Sequence, residues 1–100
     1  MAIDITAEEL KTRINNGEKL NIIDVREVYE FEEKNINGIL VPLGDLPGRL
    51  DDFDGIKNEE IIVHCKIGGR SASAKAYMEK NGYSNVRNLL GGIVAYSALN

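Results

Sequence analysis

The chain contains one cysteine, Cys65, which stands between a run of β-forming residues and a loop with two glycines, in the stretch HCKIGGRS. A cysteine is a nucleophile through its thiolate, and the pKa of a thiol falls when it faces a helix N-terminus or nearby cations. The glycines of residues 66–70 allow positive φ angles, so successive backbone N–H groups can converge on the sulfur. Lys66 and Arg70 add positive charge, and a guanidinium can bind an oxyanion through two hydrogen bonds. The stretch therefore predicts a loop that stabilises an anionic sulfur and holds an anionic substrate.

A second interpretation of Cys65 is structural, because a lone cysteine at a strand end is more often a small buried hydrophobic residue than a nucleophile. The combination of strand, glycine loop, helix and two cations favours the nucleophile, whereas a glycine loop alone would not. His64 directly precedes Cys65 on the strand, where neighbouring side chains point to opposite faces. We therefore do not expect His64 to be the base that activates the thiol.

The segments around this loop alternate between strand-like and helix-like patterns. Strands are predicted at residues 20–25, 39–41, 61–64 and 86–89. Helices are predicted at residues 6–14, 27–34, 46–53, 71–81 and 93–99, the first opened by a capping box of Thr6 and Glu9. The alternation predicts an α/β fold with a mainly parallel central sheet of four to five short strands and helices on both faces. Reactive positions of such sheets lie beyond the carboxyl ends of the strands, where Cys65 and the stretch Asp24-Val25-Arg26 both fall.

Acidic residues are concentrated in the first two predicted helices. We interpret them as solvated helix faces: Glu8, Glu9, Glu27, Glu30, Glu32 and Glu33. The apolar residues interpreted as core include Leu10, Tyr77, Met78 and Leu99.

The length and composition predict one small domain over residues 1–100 and exclude several functions. Of the 100 residues, 43% are hydrophobic and 28% are charged, and the formal net charge is −4. No apolar run approaches the ~20 residues of a membrane span, and the first ten residues lack the pattern of a signal peptide. One cysteine forms no internal disulfide, so we expect a cytoplasmic protein. We expect no metal, no cofactor, no nucleic-acid surface and no membrane contact, and we expect small molecules or protein thiols as partners.

Four stretches in the right order resemble the rhodanese-like family, from about Ile3 to Leu99. The loop Cys65-x-x-Gly68-x-Arg70-Ser71 is similar to the active-site loop of single-domain rhodanese-like sulfurtransferases. Upstream, residues 22–27 with 29–31 resemble the first signature of that family and residues 36–38 the second, while residues 88–93 resemble its closing segment. The resemblance implies a rhodanese-like α/β fold across the chain.

The same resemblance implies sulfur transfer. In such proteins the cysteine takes a sulfane sulfur from thiosulfate or a persulfide donor, becomes a persulfide, and passes the outer sulfur to cyanide or another thiol. The resemblance implies that Cys65 is the nucleophile and that loop positions bind the substrate, namely Lys66, Ile67, Gly68, Gly69 and Arg70. The loop N–H groups would cradle the persulfide, and the two cations would contact an anionic donor. Supporting roles fall to Asp24, Arg26 and Ser71, the first two as an ion pair or hydrogen-bonding brace behind the loop.

Other functions remain open at this point. Cysteine phosphatases and arsenate reductases resemble a Cys-x5-Arg pattern, which widens the loop around a tetrahedral oxyanion, whereas four residues separate Cys65 from Arg70. Arsenate reduction through an internal disulfide would also need a second cysteine. For the same reason the sulfur acceptor must come from outside the chain, as cyanide, a thiol or an acceptor protein. The main alternative is a rhodanese-like binding or regulatory module without catalysis, because one fold hosts several functions.

Overall fold

The structure, a computed structural model, describes residues 2–99. Its strands are β1 (Asn21–Asp24), β2 (Ile39–Leu40), β3 (Ile61–His64) and β4 (Val86–Asn88). They form one parallel sheet in the order β2-β1-β3-β4. The predicted parallel α/β sheet is therefore confirmed, and each strand lies within its predicted range.

Within residues 2–99, five α-helices surround the sheet: α1 (Ala7–Asn15), α2 (Val28–Glu33), α3 (Leu46–Arg49), α4 (Gly69–Lys80) and α5 (Gly92–Ser97). Short 3-10 segments flank α3 at Leu43–Asp45 and Leu50–Ile56. As predicted, α1 begins at Thr6, whose Oγ1 accepts a hydrogen bond from the Glu9 N–H at 3.0 Å. The start of α4 comes two residues earlier than predicted, because Gly68 takes a φ of 120° and turns the chain directly into the helix. None of these helices has the length and apolar character that crossing a membrane requires.

The two faces of the sheet carry separate hydrophobic clusters, because side chains along a strand alternate between faces. On one face, Ile23 and Val63 pack with Ala74 and Met78 of α4. On the other face, Ile62 packs with residues of α1 and α5. Helices therefore cover both faces, as the sequence predicts.

The register of β1 and β3 brings two functional segments to one edge of the sheet. Asp24 lies beside His64, and these are the last residues of their strands. Because the carboxyl ends of parallel strands meet at the same edge, the chain segments that carry Cys65 and Arg26 leave the sheet side by side. All four residues of β3 are buried, as predicted for a strand covered on both faces.

The outer side of β4 is paired by one residue of the N-terminal segment. Ile5 forms a parallel bridge with Leu89. The Ile5 N–H donates to the Asn88 carbonyl at 3.0 Å, and the Ile5 carbonyl accepts from the Leu90 N–H at 2.9 Å. The hydrogen-bonding pattern of the sheet thus extends one position beyond β4.

Candidate active site

The sulfur of Cys65 faces hydrogen-bond donors from its own loop and from the first turn of α4. The Gly68 N–H donates to Sγ at 3.1 Å and the Ser71 N–H at 3.4 Å. The Ser71 hydroxyl lies 3.3 Å from the same sulfur and can donate as well. Donors that point at a sulfur favour its anionic form. The geometry that the sequence predicts for the loop, main-chain N–H groups converging on a thiolate, is therefore present.

The pKa of the Cys65 thiol lies below its ordinary value even though the residue is buried. Burial raises the pKa, because it disfavours the charged form. The hydroxyl and N–H of Ser71, together with the N–H groups of Gly68 and Ile67, lower it and outweigh the burial. A lower pKa favours the thiolate, which is the nucleophilic form of a cysteine.

Access to the sulfur is through one small cavity. Cys65 as a residue is only 1% exposed, yet it lines a cavity of about 310 Å³. The other walls come from four loop positions, namely Lys66, Ile67, Gly69 and Arg70. Because Cys65 is otherwise buried, this cavity offers a reagent a route to the residue.

The start of the Cys65 loop accepts two hydrogen bonds from α5. The Ile93 N–H donates to the Cys65 carbonyl at 3.0 Å, and the Val94 N–H donates to the Lys66 carbonyl at 3.1 Å. These donors belong to the first turn of a helix, whose N–H groups have no partner within the helix itself. The closing segment of the chain therefore fixes the path of the backbone at Cys65 and at the residue that follows it.

Asn88 supports the same loop from the end of β4. Its Nδ2 donates to the Gly68 carbonyl at 3.2 Å, and its Oδ1 lies 2.6 Å from the Ser71 hydroxyl. A hydroxyl has one proton, so Ser71 donates at any moment to one of three acceptors: Asn88 Oδ1, Cys65 Sγ or the Gly68 carbonyl at 3.2 Å. No role was predicted for Asn88 from the sequence. The available signal was a polar residue near the carboxyl end of a predicted strand.

Arg70 is paired with Glu30 of α2. Its Nη1 donates to Glu30 Oε1 at 2.7 Å and its Nη2 donates to Glu30 Oε2 at 3.0 Å. The pKa of Glu30 is lowered to about 2. The hydrogen bonds from Arg70 are the largest cause, and they outweigh burial, which raises the pKa.

The interpretation of Glu30 as part of a solvated helix face is therefore wrong, because its side chain is 14% exposed and bound to Arg70. Glu9 pairs with Arg87 at 2.9 Å, yet its side chain is 42% exposed, so it remains on a solvated face as interpreted. The other four acidic residues of that interpretation are exposed, namely Glu8, Glu27, Glu32 and Glu33.

Asp24 and Arg26 form a buried ion pair behind the loop. Arg26 Nη2 donates to Asp24 Oδ2 at 2.8 Å, and the two side chains are 5% and 0% exposed. The same guanidinium donates to the carbonyls of Lys34 and Glu30, at 2.7 and 3.3 Å. These contacts tie the end of β1 to the middle and to the C-terminal end of α2. The geometry is that of a brace, and its effect on substrate stays a prediction.

His64 lies away from the sulfur. Its Nδ1 is 3.5 Å from the Cys65 carbonyl oxygen and its Nε2 is 3.5 Å from Asp24 Oδ2. The side chain is completely buried, and this burial lowers the pKa of its imidazole. No hydrogen bond joins His64 to Sγ within residues 2–99, in agreement with the alternation of side chains along β3.

Lys66 and Ile67 form the exposed part of the loop. The Ile67 residue is 69% exposed, and Lys66 is exposed and forms no ion pair with any residue from 2 to 99. Lys66 also lines a second, larger cavity of about 500 Å³, together with Tyr29 and Glu30. The ammonium group is thus available to a ligand in either cavity.

Comparison with known proteins gives one family. The sequence profile of the rhodanese-like domain matches residues 6–99. A protein of Allochromatium vinosum named sulfurtransferase is 31% identical over 98 residues, which cover 97% of this chain and 90% of that protein. YrkF of Bacillus subtilis is 36% identical over 91 residues, and there the match covers 90% of this chain but only 48% of the relative.

Solved structures agree with this result. The crystal structure of SSP1007 from Staphylococcus saprophyticus is 37% identical, with a TM-score of 0.84, and the match covers 96% of this chain and 93% of that one. The crystal structure of a rhodanese-like domain protein from Staphylococcus aureus is 34% identical, also with a TM-score of 0.84, over 96% and 91% of the two chains.

Proposed function

This chain belongs to the rhodanese-like domain family, and on that basis we propose that it is a sulfurtransferase that carries a sulfane sulfur on Cys65. The observation that carries the proposal is the position of Cys65, whose Sγ faces the donors of Gly68 and Ser71 and which lines a cavity. A relative named sulfurtransferase, similar over 90% of its own length, supports the same reaction class.

In the first step the Cys65 thiolate attacks the outer sulfur of a donor such as thiosulfate. The new sulfur–sulfur bond forms as the donor's own sulfur–sulfur bond breaks, and sulfite leaves with the electron pair of that bond. The product is a persulfide anion on Cys65, so total charge is conserved without a proton. Loop N–H groups such as that of Gly68 stabilise the negative sulfur, which is transition-state stabilisation by preorganised donors. Lys66 and Arg70 are the candidate contacts for the sulfite portion.

In the second step an acceptor removes the outer sulfur. The carbon of cyanide, or the sulfur of a thiolate, attacks the outer sulfur and the Cys65 thiolate leaves. Splitting the transfer through an enzyme-bound intermediate is covalent catalysis. Cys65 is the one cysteine of the sequence, so no second thiol of this chain can accept the sulfur. The acceptor is therefore an external thiol or an acceptor protein, and a reducing compartment such as the cytoplasm keeps Cys65 available.

One observation favours a second candidate function. Cys65 is 1% exposed and Arg70 is already bound to Glu30, which would suit a rhodanese-like module that binds a partner and transfers nothing. Such a module does not need a thiol with a lowered pKa. The chemistry of Cys65 therefore separates the two functions.

The test is a persulfide assay on the purified protein. After incubation with thiosulfate or a low-molecular-weight persulfide, intact mass should increase by one sulfur atom, and later addition of cyanide should release thiocyanate. Cys65→Ser and Cys65→Ala provide the controls and should give neither signal. A wild-type protein that gains no sulfur from either donor, and whose thiol titrates like free cysteine, would contradict the sulfurtransferase. Hydrolysis of aryl phosphates that disappears in Cys65→Ser would favour a phosphatase instead.

A further inference from the structure

The charges around the nucleophile nearly cancel. Lys66 and Arg70 bring two positive charges to the cavity over Cys65. The thiolate contributes one negative charge and Glu30, bound to Arg70, contributes another. Lys66 is thus the loop cation that no acidic group within residues 2–99 neutralises.

The carboxylate of Glu30 is held in place by two separate elements. Its Oε1 accepts from Arg70 Nη1 at 2.7 Å and also from the Glu27 N–H at 3.0 Å, in the capping box that opens α2. Its Oε2 accepts from Arg70 Nη2 at 3.0 Å. A carboxylate fixed at three points by donors stays ionised and does not leave Arg70 readily. The end of the Arg70 guanidinium formed by Nη1 and Nη2 is therefore occupied.

This arrangement affects donors according to their charge. The two cations of the site, Lys66 and Arg70, are matched in number by the Cys65 thiolate and the Glu30 carboxylate. A dianion such as thiosulfate adds two further negative charges to this site, whereas a monoanionic donor adds one. We propose that Glu30 is a specificity-determining residue: by neutralising Arg70 it disfavours dianionic oxyanion donors relative to monoanionic sulfane-sulfur donors. This inference rests on the proposed sulfur transfer through Cys65 and names the class of donor the site takes.

Two donors with the same reactive group provide the probe. Thiosulfate and an arenethiosulfonate both deliver a terminal sulfur to a thiolate, and they release sulfite and an arenesulfinate respectively. In both reactions one sulfur–sulfur bond forms, one sulfur–sulfur bond breaks, and the leaving group takes the electron pair. The donors differ by one unit of charge and by the aryl group. Comparison of each variant with wild type cancels the contribution of the aryl group.

The experiment measures kcat/KM for both donors with cyanide as acceptor. In Glu30→Gln, a variant of nearly the same shape, kcat/KM for thiosulfate should rise about tenfold, and that for the arenethiosulfonate by less than about threefold, because electrostatic effects scale with the charge of the donor. The gain should lie mainly in KM for thiosulfate and should shrink as salt is added, since salt screens charges near the surface. A purely structural role would not produce this dependence on donor charge.

Control variants separate charge from structure. Glu30→Asp keeps the negative charge and should retain the donor preference of wild type within about threefold. Glu32→Gln removes an exposed carboxylate from the same helix and should leave kcat/KM unchanged for both donors. Glu30→Ala removes the same charge as Glu30→Gln and should shift the preference in the same direction, so one folded variant of these two is enough.

Three outcomes would overturn the inference. If thiosulfate turnover falls in Glu30→Gln, or if both donors change in parallel, Glu30 orients Arg70 for catalysis and does not select the donor. If wild type transfers sulfur from neither donor in a Cys65-dependent way, the proposed sulfurtransferase fails and the selectivity fails with it. Turnover of both donors with an unchanged preference in the variant would overturn the role of Glu30 alone.

Discussion

Gly92 lies directly against the backbone of Lys66. A Cβ atom placed on Gly92 would stand 2.3 Å from the Lys66 carbonyl oxygen and 2.7 Å from that of Cys65. The φ angle of Gly92 is +60°, a conformation that residues with a side chain rarely adopt. The first turn of α5 can therefore approach the reactive loop closely enough to bind its carbonyls only because this position has no side chain.

Gly92→Ala should destabilise the protein strongly, because the new methyl group meets backbone atoms that cannot move away. We expect a loss of about 3 kcal/mol or more in the free energy of unfolding, measured by chemical denaturation. Gly17→Ala is the matched control, since Gly17 also has a positive φ of +79° but no atom within 4 Å of the added Cβ. The control should lose only about 1 kcal/mol. Equal losses in the two variants would show that the close approach to Lys66 contributes nothing.

Ser71→Ala should raise the pKa of the Cys65 thiol. The hydroxyl of Ser71, 3.3 Å from the sulfur, is the largest of the groups that lower this pKa against burial. The pH profile of alkylation by iodoacetamide should therefore move to higher pH, and the rate at neutral pH should fall. Ser73→Ala, which removes an exposed hydroxyl from the same helix, should leave the profile unchanged. An unshifted profile in Ser71→Ala would mean that the main-chain donors alone set the pKa.

The ion pair of Glu30 with Arg70 should make stability depend on pH in the acid range. The folded pKa of Glu30 is about 2, below the ordinary value of 4.5, so its contribution is complete above about pH 4.5 and is lost as the pH falls towards 2. The difference in unfolding free energy between wild type and Glu30→Gln should therefore shrink across this window. Urea denaturation at several pH values measures it. For Glu32→Gln the difference should not change, and a constant difference for Glu30→Gln would argue against the pair.

Arg26→Gln should cost far more stability than the loss of a surface pair. The variant leaves the completely buried carboxylate of Asp24 without its cation, and breaking a buried pair in this way costs about 3–5 kcal/mol. Arg49→Gln breaks the exposed pair with Asp52 and should cost less than about 1 kcal/mol. Thermal unfolding of both variants tests the contrast. If Asp24→Asn added to Arg26→Gln recovers none of the loss, the uncompensated charge is not the cause.

Features set by neighbouring residues could be predicted from the sequence. The apolar run of β3 specified a buried strand, and Thr6 placed the start of α1. The cation and glycine pattern after Cys65 predicted a loop whose N–H groups face the sulfur, because loop geometry of this kind depends on a few adjacent residues.

Features set by residues far apart in the sequence could not be predicted from it. Glu30 and Arg70 are separated by 40 positions in the sequence, and Ser71 and Asn88 are separated by 17. Which polar residues meet depends on strand register and helix packing, and an acidic residue on a short helix looks the same in sequence whether it is solvated or paired. The predicted start of α4 is too late for a related reason, since Gly69 and Arg70 begin the helix although glycine has low intrinsic helix propensity.

The pairing of Ile5 with the outer side of β4 also bears on how the protein avoids self-association. An edge strand with free N–H and carbonyl groups is a template on which another chain can add a strand, and proteins commonly cover such edges. Ile5 occupies the Asn88 carbonyl and the Leu90 N–H. Removal of residues 1–5 would uncover these groups beside the buried side chain of Leu89. The N-terminal segment therefore covers, at the carboxyl end of β4, hydrogen-bonding groups on which a second chain could otherwise add a strand.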